Sequence, residues 1–387
     1  MYYLSFLFHL YQPPTQLGFV IDRITDECYR PLSDIFNSSL SPKFTVNMNY
    51  SLTELLSDRG HTDVLENLKN AMDSGNLEFV DSGAYHPIFP LIPESEVIRQ
   101  LKINNEGNRS VFGENYKPRG VFPPEMCYSS RIAKITKKIG YDWLVTDDLP
   151  YTYYDPNIPW NSICRVEGSG VFLRSNSWSN EISFHQWKGT DFAEKAEEII
   201  RSAVGDGDGY MIIAMDAETF GHHHKYYHEK FLHSLLHAMK NKTNIKLAKM
   251  SDIFDKFKMK DAFVPPSTWS ASLQDLYSDD PYPLWQSKFN PIHHNQWQLT
   301  HHVLRAAIRS GDSKARKLMD KALYSCQNWW ASLGNFDPSQ IYRGAYLLMD
   351  TLERSSEVLN DAEVLRIGRD LYNNLVYTVF ERITRQK

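Results

Sequence analysis

Residues 211–218 read MIIAMDAE, a short run of apolar side chains that ends at two acidic ones. An uninterrupted apolar run of this length is typical of a strand whose two faces are both buried in a parallel sheet. Runs of the same kind occur at 2–8, 44–48, 77–80, 120–122, 141–145 and 245–248. Helical patterns separate most of them, at 95–111, 129–139, 192–203, 228–239 and 252–257. This alternation predicts roughly seven βα units in series.

The series of strands favours a parallel barrel over an open, doubly wound sheet. The strands are spaced along the chain like those of a barrel, and no glycine-rich dinucleotide turn follows the first one. The predicted domains are a catalytic α/β barrel over 1–260, with an excursion near 150–190, an ordered linker or loop over 261–291 that contributes to the site, and a helical bundle over 292–387. The excursion has its own predicted strand at 171–174. The bundle depends on helical patterns at 293–308, 314–333, 339–352 and 362–383.

Composition excludes several classes of protein. The 387 residues are 42% hydrophobic and 23% charged, which is ordinary for a globular chain and excludes disordered and collagen-like ones. A net charge of −5 without any basic run argues against nucleic acid and anionic membranes as partners. No apolar run approaches the ~18 residues that span a bilayer. The first residues lack the basic segment and cleavage site of a signal peptide, and the four cysteines are scattered like reduced thiols. These features predict a cytoplasmic location.

Polar side chains gather where the predicted strands end, which is where parallel α/β folds carry their reactive groups. They are His9 and Gln12 after the first strand, His86 after the third, Glu125 after the fourth, and Asp216, Glu218 and His222 after the sixth. Glu125 follows two prolines that stiffen its approach, and Asp216 directly follows a strand that should be wholly buried. A pair of carboxylates can carry out glycoside hydrolysis, although each could instead be a structural cap or an ion-pair partner.

The histidines support a different interpretation. The cluster 222–224 and His228, together with His9, His86 and Asp216, could form a zinc site in a barrel hydrolase or deacetylase. The spacing is not that of an HExxH motif, and three adjacent histidines cannot all point the same way. From the residues alone, the carboxylate pair and the zinc site both remain open.

The segments that follow the predicted strands resemble the signature motifs of glycoside hydrolase family 57, the α-amylase-like glycosidases and glucan transferases. The matching segments are FHLYQP at 8–13, GNLEF at 75–79 with YHPI at 85–88, FPPEM at 122–126, DAETFGH at 216–222, PYPLW at 281–285 with Asn290 and Trp297, and WWAS at 329–332. Many members have Trp-x-Pro-Glu in the third motif, whereas this chain has Phe-Pro-Pro-Glu and keeps the glutamate. Each motif is weak by itself, but their common order along the chain is specific.

The resemblance implies a (β/α)7 barrel followed by a helical bundle, a retaining mechanism and no metal cofactor. It implies that Glu125 is the nucleophile and Asp216 the general acid/base. A raised pKa would keep Asp216 protonated before attack, and burial together with the nearby Glu218 is expected to supply it. The expected contacts with the sugar are His9, Gln12, His86, Glu218 and His222, with Trp285 and Trp330 stacking on sugar faces.

The predicted function is therefore retaining, α-amylase-like hydrolysis of α-linked glucans or oligosaccharides. Four alternatives stay open at this stage. Two are other activities of the same family, 4-α-glucanotransferase and α-galactosidase. The third is a zinc-dependent sugar deacetylase or mannosidase-like barrel enzyme. The fourth is a non-catalytic homologue that binds glycans.

Overall fold

The computed structural model describes residues 1–385. The chain divides into two compact units, each assembled from separate stretches. The first unit contains residues 1–12, 16–84 and 89–269. The second contains 13–15, 85–88 and the chain from Ser270 onward. Two short loops that follow strands of the first unit thus belong to the second.

The first unit is built on a mainly parallel sheet. Within residues 1–385 its strands are β1 (Tyr2–Leu10), β2 (Phe44–Met48), β3 (Leu77–Val80), β4 (Gly120–Val121), β5 (Trp143–Asp147), β6 (Ile163–Val166), β7 (Ser169–Arg174), β8 (Gly209–Asp216), β9 (Ile245–Leu247) and β10 (Met259–Asp261). The runs predicted at 44–48 and 77–80 coincide with β2 and β3. The run at 211–215 lies inside β8, and β8 ends at the polar residue Asp216.

Seven of these strands form a parallel barrel that is nearly closed. β1 pairs with β2 on one side and with β8 on the other, and β2 pairs with β3. A bridge between Asp81 and Val121 continues the ring to β4, which pairs with β5. β5 pairs with β7, and Arg174 of β7 pairs with Ile212 of β8 to complete the circuit. β6 and β10 lie outside this ring, and β9 lies beside the first residues of β1. The predicted α/β barrel is confirmed.

The apolar runs reflect burial on both faces of each strand. All nine residues of β1 are buried. Leu4, Phe6 and Phe8 belong to one apolar cluster, and Tyr3 and Leu7 belong to another. Because side chains alternate along a strand, the cluster with Tyr3 and Leu7 lies inside the barrel and is called the inner cluster, whereas the cluster with Leu4, Phe6 and Phe8 lies under the surrounding helices. This two-sided burial explains why the strands read as continuous apolar sequence.

Helices cover the barrel and make up most of the second unit. In the first unit they are α1 (Gly18–Ile24), α2 (Arg30–Phe36), α3 (Tyr50–Asp58), α4 (Thr62–Asp73), α5 (Glu94–Phe112), α6 (Ser130–Lys138), α7 (Leu149–Tyr154), α8 (Asn176–His185), α9 (Gly189–Val204), α10 (Ser234–Met239) and α11 (Met250–Lys256). In the second they are α12 (Leu273–Tyr277), α13 (Pro283–Gln286), α14 (Pro291–Ser310), α15 (Ser313–Ala322), α16 (Cys326–Trp329), α17 (Pro338–Leu359) and α18 (Ala362–Arg385).

The second unit contains the expected helical bundle. α14 packs against α15, α17 and α18, and α17 packs against both α15 and α18. Buried side chains such as Val303, Leu348 and Leu375 fill the space between these helices. No helix within residues 1–385 is both long and apolar enough to cross a bilayer.

Two expectations about local structure are wrong. The excursion near 150–190 includes β7, which pairs in parallel with β5 and β8 and is therefore a barrel strand in its own right. The single helix expected at 314–333 is broken between Ala322 and Cys326. The side chain of Gln327 donates to the carbonyl oxygens of Ala322 and Tyr324, at 2.7 and 3.1 Å. These bonds satisfy carbonyl groups that a continuous helix would have paired internally.

Candidate active site

The strand register places His9, Asn47 and Asp216 side by side at the carboxyl end of the barrel. His9 of β1 is the partner of Asn47 on β2 and of Asp216 on β8. Alternation along β1 and β8 puts His9 and Asp216 on the same side as the inner cluster, with Leu7 and Ala214. Nδ1 of His9 lies 2.5 Å from Oδ1 of Asn47, which accepts its hydrogen bond. The His9 ring also stacks on Phe122, with centroids 4.7 Å apart.

Glu125 is held in a strained backbone conformation just after β4. Pro123 and Pro124 lead into a short 3-10 turn, in which Glu125 and Met126 have φ angles of 59° and 48°. The left-handed region is costly for such side chains and persists only where surrounding bonds enforce it. Here the carbonyl oxygen of Glu125 accepts from the hydroxyl of Thr268 at 2.6 Å. Its Oε2 accepts from the indole Nε1 of Trp269 at 2.9 Å.

Glu125 and Asp216 are electrostatically linked. Burial, followed by the charge of Asp216, raises the pKa of Glu125 to about 8, and the hydrogen bond from Trp269 opposes this rise. Burial likewise raises the pKa of Asp216, against the effects of His9 and Arg174. Two buried carboxyl groups of this kind do not both ionise easily, so they titrate as a coupled pair. Near neutral pH the pair is therefore suited to hold one proton, shared between its two carboxyl groups.

Glu218 lies two residues further on and is hydrogen-bonded to the loop after β1 and to Tyr29. Its Oε1 accepts from Nε2 of Gln12 at 3.0 Å and from the hydroxyl of Tyr29. Burial, and then the charge of Asp216, raise the pKa of Glu218 to about 8. The expectation that Glu218 raises the pKa of Asp216 is not supported, because the rise in Asp216 comes from burial. The structure therefore joins the predicted residues Gln12 and Glu218 directly.

A π-helical turn at Thr25–Tyr29 supports the loop that follows Asp216. Nδ1 of His222 donates to Oε2 of Glu27 at 2.6 Å, and Sγ of Cys28 donates to the carbonyl oxygen of Ala217 at 3.1 Å. Gly221 has a φ of 144°, and a Cβ there would lie 1.9 Å from the carbonyl oxygen of Glu27. Only glycine permits so close an approach. His222 is thus oriented by an acidic partner.

The histidine cluster is not arranged as a zinc site. Nε2 of His224 donates to the carbonyl oxygen of Ser183 at 2.7 Å, while His222 is bonded to Glu27 and His9 to Asn47. Within the described part of the chain, no group of three or more histidine, cysteine, aspartate or glutamate side chains is placed to hold a metal ion. The geometry that the zinc interpretation requires is therefore not found there.

Three of the predicted substrate contacts lie in the second unit. His86 has a φ of 61°, and its Nδ1 lies 2.8 Å from the hydroxyl oxygen of Ser325. Trp285 is completely buried and accepts, through its carbonyl oxygen, from the indole of Trp297 at 2.8 Å. Trp330 is half-buried and packs edge-on against Trp329. Because the ring of Trp285 is wholly buried, a sugar cannot stack on it. Trp285 instead packs in the core of its unit.

Sequence reasoning missed several residues of the site. Asn47, Thr268 and Trp269 contact the predicted residues directly, and Arg174 lies next to them. One signal was present: Pro265 and Pro266 precede Thr268 and Trp269, as two prolines precede Glu125. The aperiodic surroundings concealed that signal.

Comparisons with known proteins identify the family of this chain. Residues 10–266, more than half of the chain, match glycosyl hydrolase family 57, and the chain belongs to that family. Alpha-amylase 1 of Dictyoglomus thermophilum is 32% identical over 147 residues, which are 38% of this chain and 21% of that protein. A putative alpha-amylase of Methanocaldococcus jannaschii is 26% identical over 217 residues, which are 53% of this chain and 44% of that protein. The matches thus span less than half the length of either relative.

Solved structures share the fold. The GH57-type branching enzyme of Pyrococcus horikoshii aligns with a TM-score of 0.73 at 15% identity, over 97% of this chain and 94% of that one. The 4-alpha-glucanotransferase of Thermococcus litoralis aligns with a TM-score of 0.72 at 18% identity, over 92% of this chain and 59% of that one. At such low identity the likeness concerns the fold alone.

Proposed function

We propose that this chain is a retaining glycosidase that acts on α-linked glucans or oligosaccharides. The observation that carries the proposal is the buried, electrostatically linked pair of Glu125 and Asp216 at the carboxyl end of the barrel. Membership in family 57 and relatives named alpha-amylase support the choice of an α-glucan substrate. A cytoplasmic location and the absence of nucleic-acid and membrane partners stay predictions of the sequence.

The chemistry follows from the two carboxyl groups. Ionised Glu125 attacks the anomeric carbon and forms a covalent glycosyl-enzyme, while Asp216 gives its proton to the departing glycosidic oxygen. Asp216, now ionised, then takes a proton from water or from the hydroxyl of an acceptor sugar, which attacks the same carbon. Two inversions at one carbon give net retention. The proton that Asp216 gives to the leaving group in the first step is replaced in the second by a proton from the incoming water or sugar hydroxyl.

Neighbouring groups prepare the pair for these roles. The indole of Trp269 donates to Oε2 of Glu125 and favours the ionised form that attacks. Burial raises the pKa of both carboxyl groups, so the pair keeps a proton. The reaction needs that proton on Asp216, and the bond from Trp269 to Glu125 favours this placement. His9, Gln12, Glu218 and His222 are proposed to bind the hydroxyl groups of the sugar. Contact of His86 and Trp330 with the sugar stays a prediction of the sequence.

Hydrolysis and transfer use the same first step and differ only in the acceptor. Relatives named 4-alpha-glucanotransferase also match the chain, so transfer is the second candidate. Incubation with maltohexaose, followed by separation of products by size, distinguishes the two. Hydrolysis yields only shorter chains, whereas transfer also yields longer ones. No product of either kind would contradict the proposed substrate class.

The anomer that is released first provides the test of stereochemistry. A retaining enzyme releases the α-anomer, which NMR detects before mutarotation equilibrates it. Early release of the β-anomer would contradict the assignment of Glu125 as nucleophile, because a single displacement inverts the configuration.

Replacement of Trp269 by phenylalanine is expected to move the acid limb of the kcat/KM profile to higher pH. The indole bond stabilises ionised Glu125, and its loss should raise the pKa of this carboxyl. Activity that requires ionised Glu125 then begins at higher pH. Replacement of Trp160 by phenylalanine, elsewhere in the first unit, is the matched control. An unchanged acid limb in Trp269→Phe would show that the indole bond does not tune the nucleophile.

A further inference from the structure

Arg174 is a buried arginine at the end of β7, next to the candidate carboxylate pair. It is 4% exposed. Its guanidinium binds three groups: Oδ2 of Asp147 at 2.5 Å, the carbonyl oxygen of Ala214 at 2.7 Å and Oδ1 of Asn180 at 3.0 Å. These partners lie on β5, β8 and α8, so the planar fork of one side chain connects three elements. Its position is therefore fixed in several directions.

The same guanidinium lies over the Trp269 ring and acts on Asp216. Its central carbon lies 5.6 Å from the ring centroid of Trp269, a cation–π distance. Trp269 in turn donates to Glu125 at 2.9 Å. On the other side, Arg174 is anchored at Ala214, two residues before Asp216 on β8. One side chain thus contacts the ring that holds Glu125 and the strand that carries Asp216.

The surroundings of Asp216 contain few charges. The charged groups that act on it are His9 on β1 and Arg174 on β7, and Asp216 acts in turn on Glu125 and Glu218. Of these, only Arg174 carries a fixed positive charge at every working pH. It lowers the pKa of Asp216 against the effect of burial. Asp147 accepts from the guanidinium, and Asp148 interacts with both Asp147 and Arg174.

Stability alone gives little reason to bury this ion pair. The desolvation cost of a buried pair is commonly as large as its attraction, and an apolar pair of similar volume is often as stable. The contacts with Trp269 and with the strand of Asp216 provide a different reason.

We propose that Arg174 is a positioning residue for the carboxylate pair: it holds the Trp269 ring against Glu125 and places one permanent positive charge beside Asp216. This inference rests on the proposed function of the pair. Arg174 acts through Trp269 and through charge, without contact to the reacting sugar.

The test uses a charge-balanced double variant, Arg174→Met with Asp147→Asn. Asparagine keeps an oxygen that can accept from the backbone of Leu149 and the side chain of Asn176, so no unpaired carboxylate is left. Arg174→Lys retains the charge and removes the fork. The matched control is Arg165→Met with Asp261→Asn, because Arg165 and Asp261 form an exposed arginine–aspartate pair in the same unit.

With maltohexaose as substrate, the double variant is expected to shift both limbs of the kcat/KM profile upward by about 0.5–1 pH unit. Of the two charges removed, that of Arg174 acts on Asp216, and the ring that Arg174 contacts donates to Glu125, so both carboxyl groups lose support for their ionised forms. Arg174→Lys should keep the limbs of the unaltered protein and show a lower kcat, since lysine cannot hold the ring in the same way. The exposed control should change neither. If the limbs of the kcat/KM pH profile of the double variant coincide with those of the unaltered protein, the inference is overturned.

A second measurement does not depend on turnover. The indole N–H signal of Trp269, assigned through Trp269→Phe, reports the ionisation of Glu125 in ¹⁵N-labelled protein. Its titration midpoint should move upward in the double variant, and an unmoved midpoint would refute the role of Arg174 even if the chain cleaves no glucan. If the double variant fails to fold, the same measurements on Arg174→Lys test the inference. If this variant has the same indole signal and the same kcat as the unaltered protein, the positioning role is overturned. Failure of the unaltered protein to act on any α-glucan contradicts the proposed function separately.

Discussion

Replacement of Glu125 by alanine is expected to abolish turnover of maltooligosaccharides, lowering kcat by about 10⁴-fold or more. The change removes the oxygen that attacks the anomeric carbon, together with the carboxylate to which the indole of Trp269 donates. It also leaves a small space in which azide can act as a substitute nucleophile. Added azide should restore part of the activity on an aryl α-maltoside and yield a β-glycosyl azide, because a single displacement inverts the carbon.

A matched control separates lost chemistry from lost folding. Glu96 on α5 is another buried glutamate of the first unit, 2% exposed and outside the candidate site. Glu96→Ala removes a buried carboxylate in the same way and is expected to lower the thermal midpoint while retaining kcat. Loss of activity in both variants, without azide rescue in Glu125→Ala, would contradict the nucleophile assignment.

The sequence predicted the barrel because its strands are buried on two sides. Only a strand without a solvent face can be apolar at every position, as β1 and β8 almost are, and such strands are visible in a single sequence. The same logic located Asp216, since a charge directly after a buried strand must be paired or functional. The π-helical turn at Thr25–Tyr29 was not predicted, because its hydrogen bonds do not follow the period of 3.6 residues on which helix recognition depends.

The missing parts of the site depend on contacts between distant residues. Trp269 lies 144 positions from Glu125, in a segment without periodicity that was assigned to a linker, and nothing local shows what its indole binds. Arg174 ends a strand that was interpreted as part of an excursion, so its position inside the barrel was hidden. Residues at strand ends can be predicted from the local sequence pattern. The residues that adjust the pKa values of those strand-end groups can be identified only when the register of the barrel is known.

Replacement of Asp216 by asparagine is expected to produce a loss that depends on the leaving group. For a maltooligosaccharide, whose departing hydroxyl needs a proton, kcat/KM should fall by about 10²–10⁴-fold. For 2,4-dinitrophenyl α-maltoside the departing phenolate needs no proton, so formation of the glycosyl-enzyme on Glu125 should stay fast and the intermediate should accumulate. Mass spectrometry of the intact protein measures that accumulation.

Azide then distinguishes the roles of the two carboxylates. In Asp216→Asn it needs no general base and should release the accumulated intermediate as an α-glycosyl azide, the opposite anomer from that expected for Glu125→Ala. The difference arises because Asp216→Asn retains the covalent step on Glu125 and Glu125→Ala omits it.

Asp148→Asn is the matched control, because Asp148 is also a buried aspartate at a strand end and burial raises its pKa to about 7. It should show no dependence on the leaving group. An equal loss on both substrates in Asp216→Asn would mean that proton donation is not the function of Asp216, and the same azide anomer from both variants would exclude a double displacement on this pair.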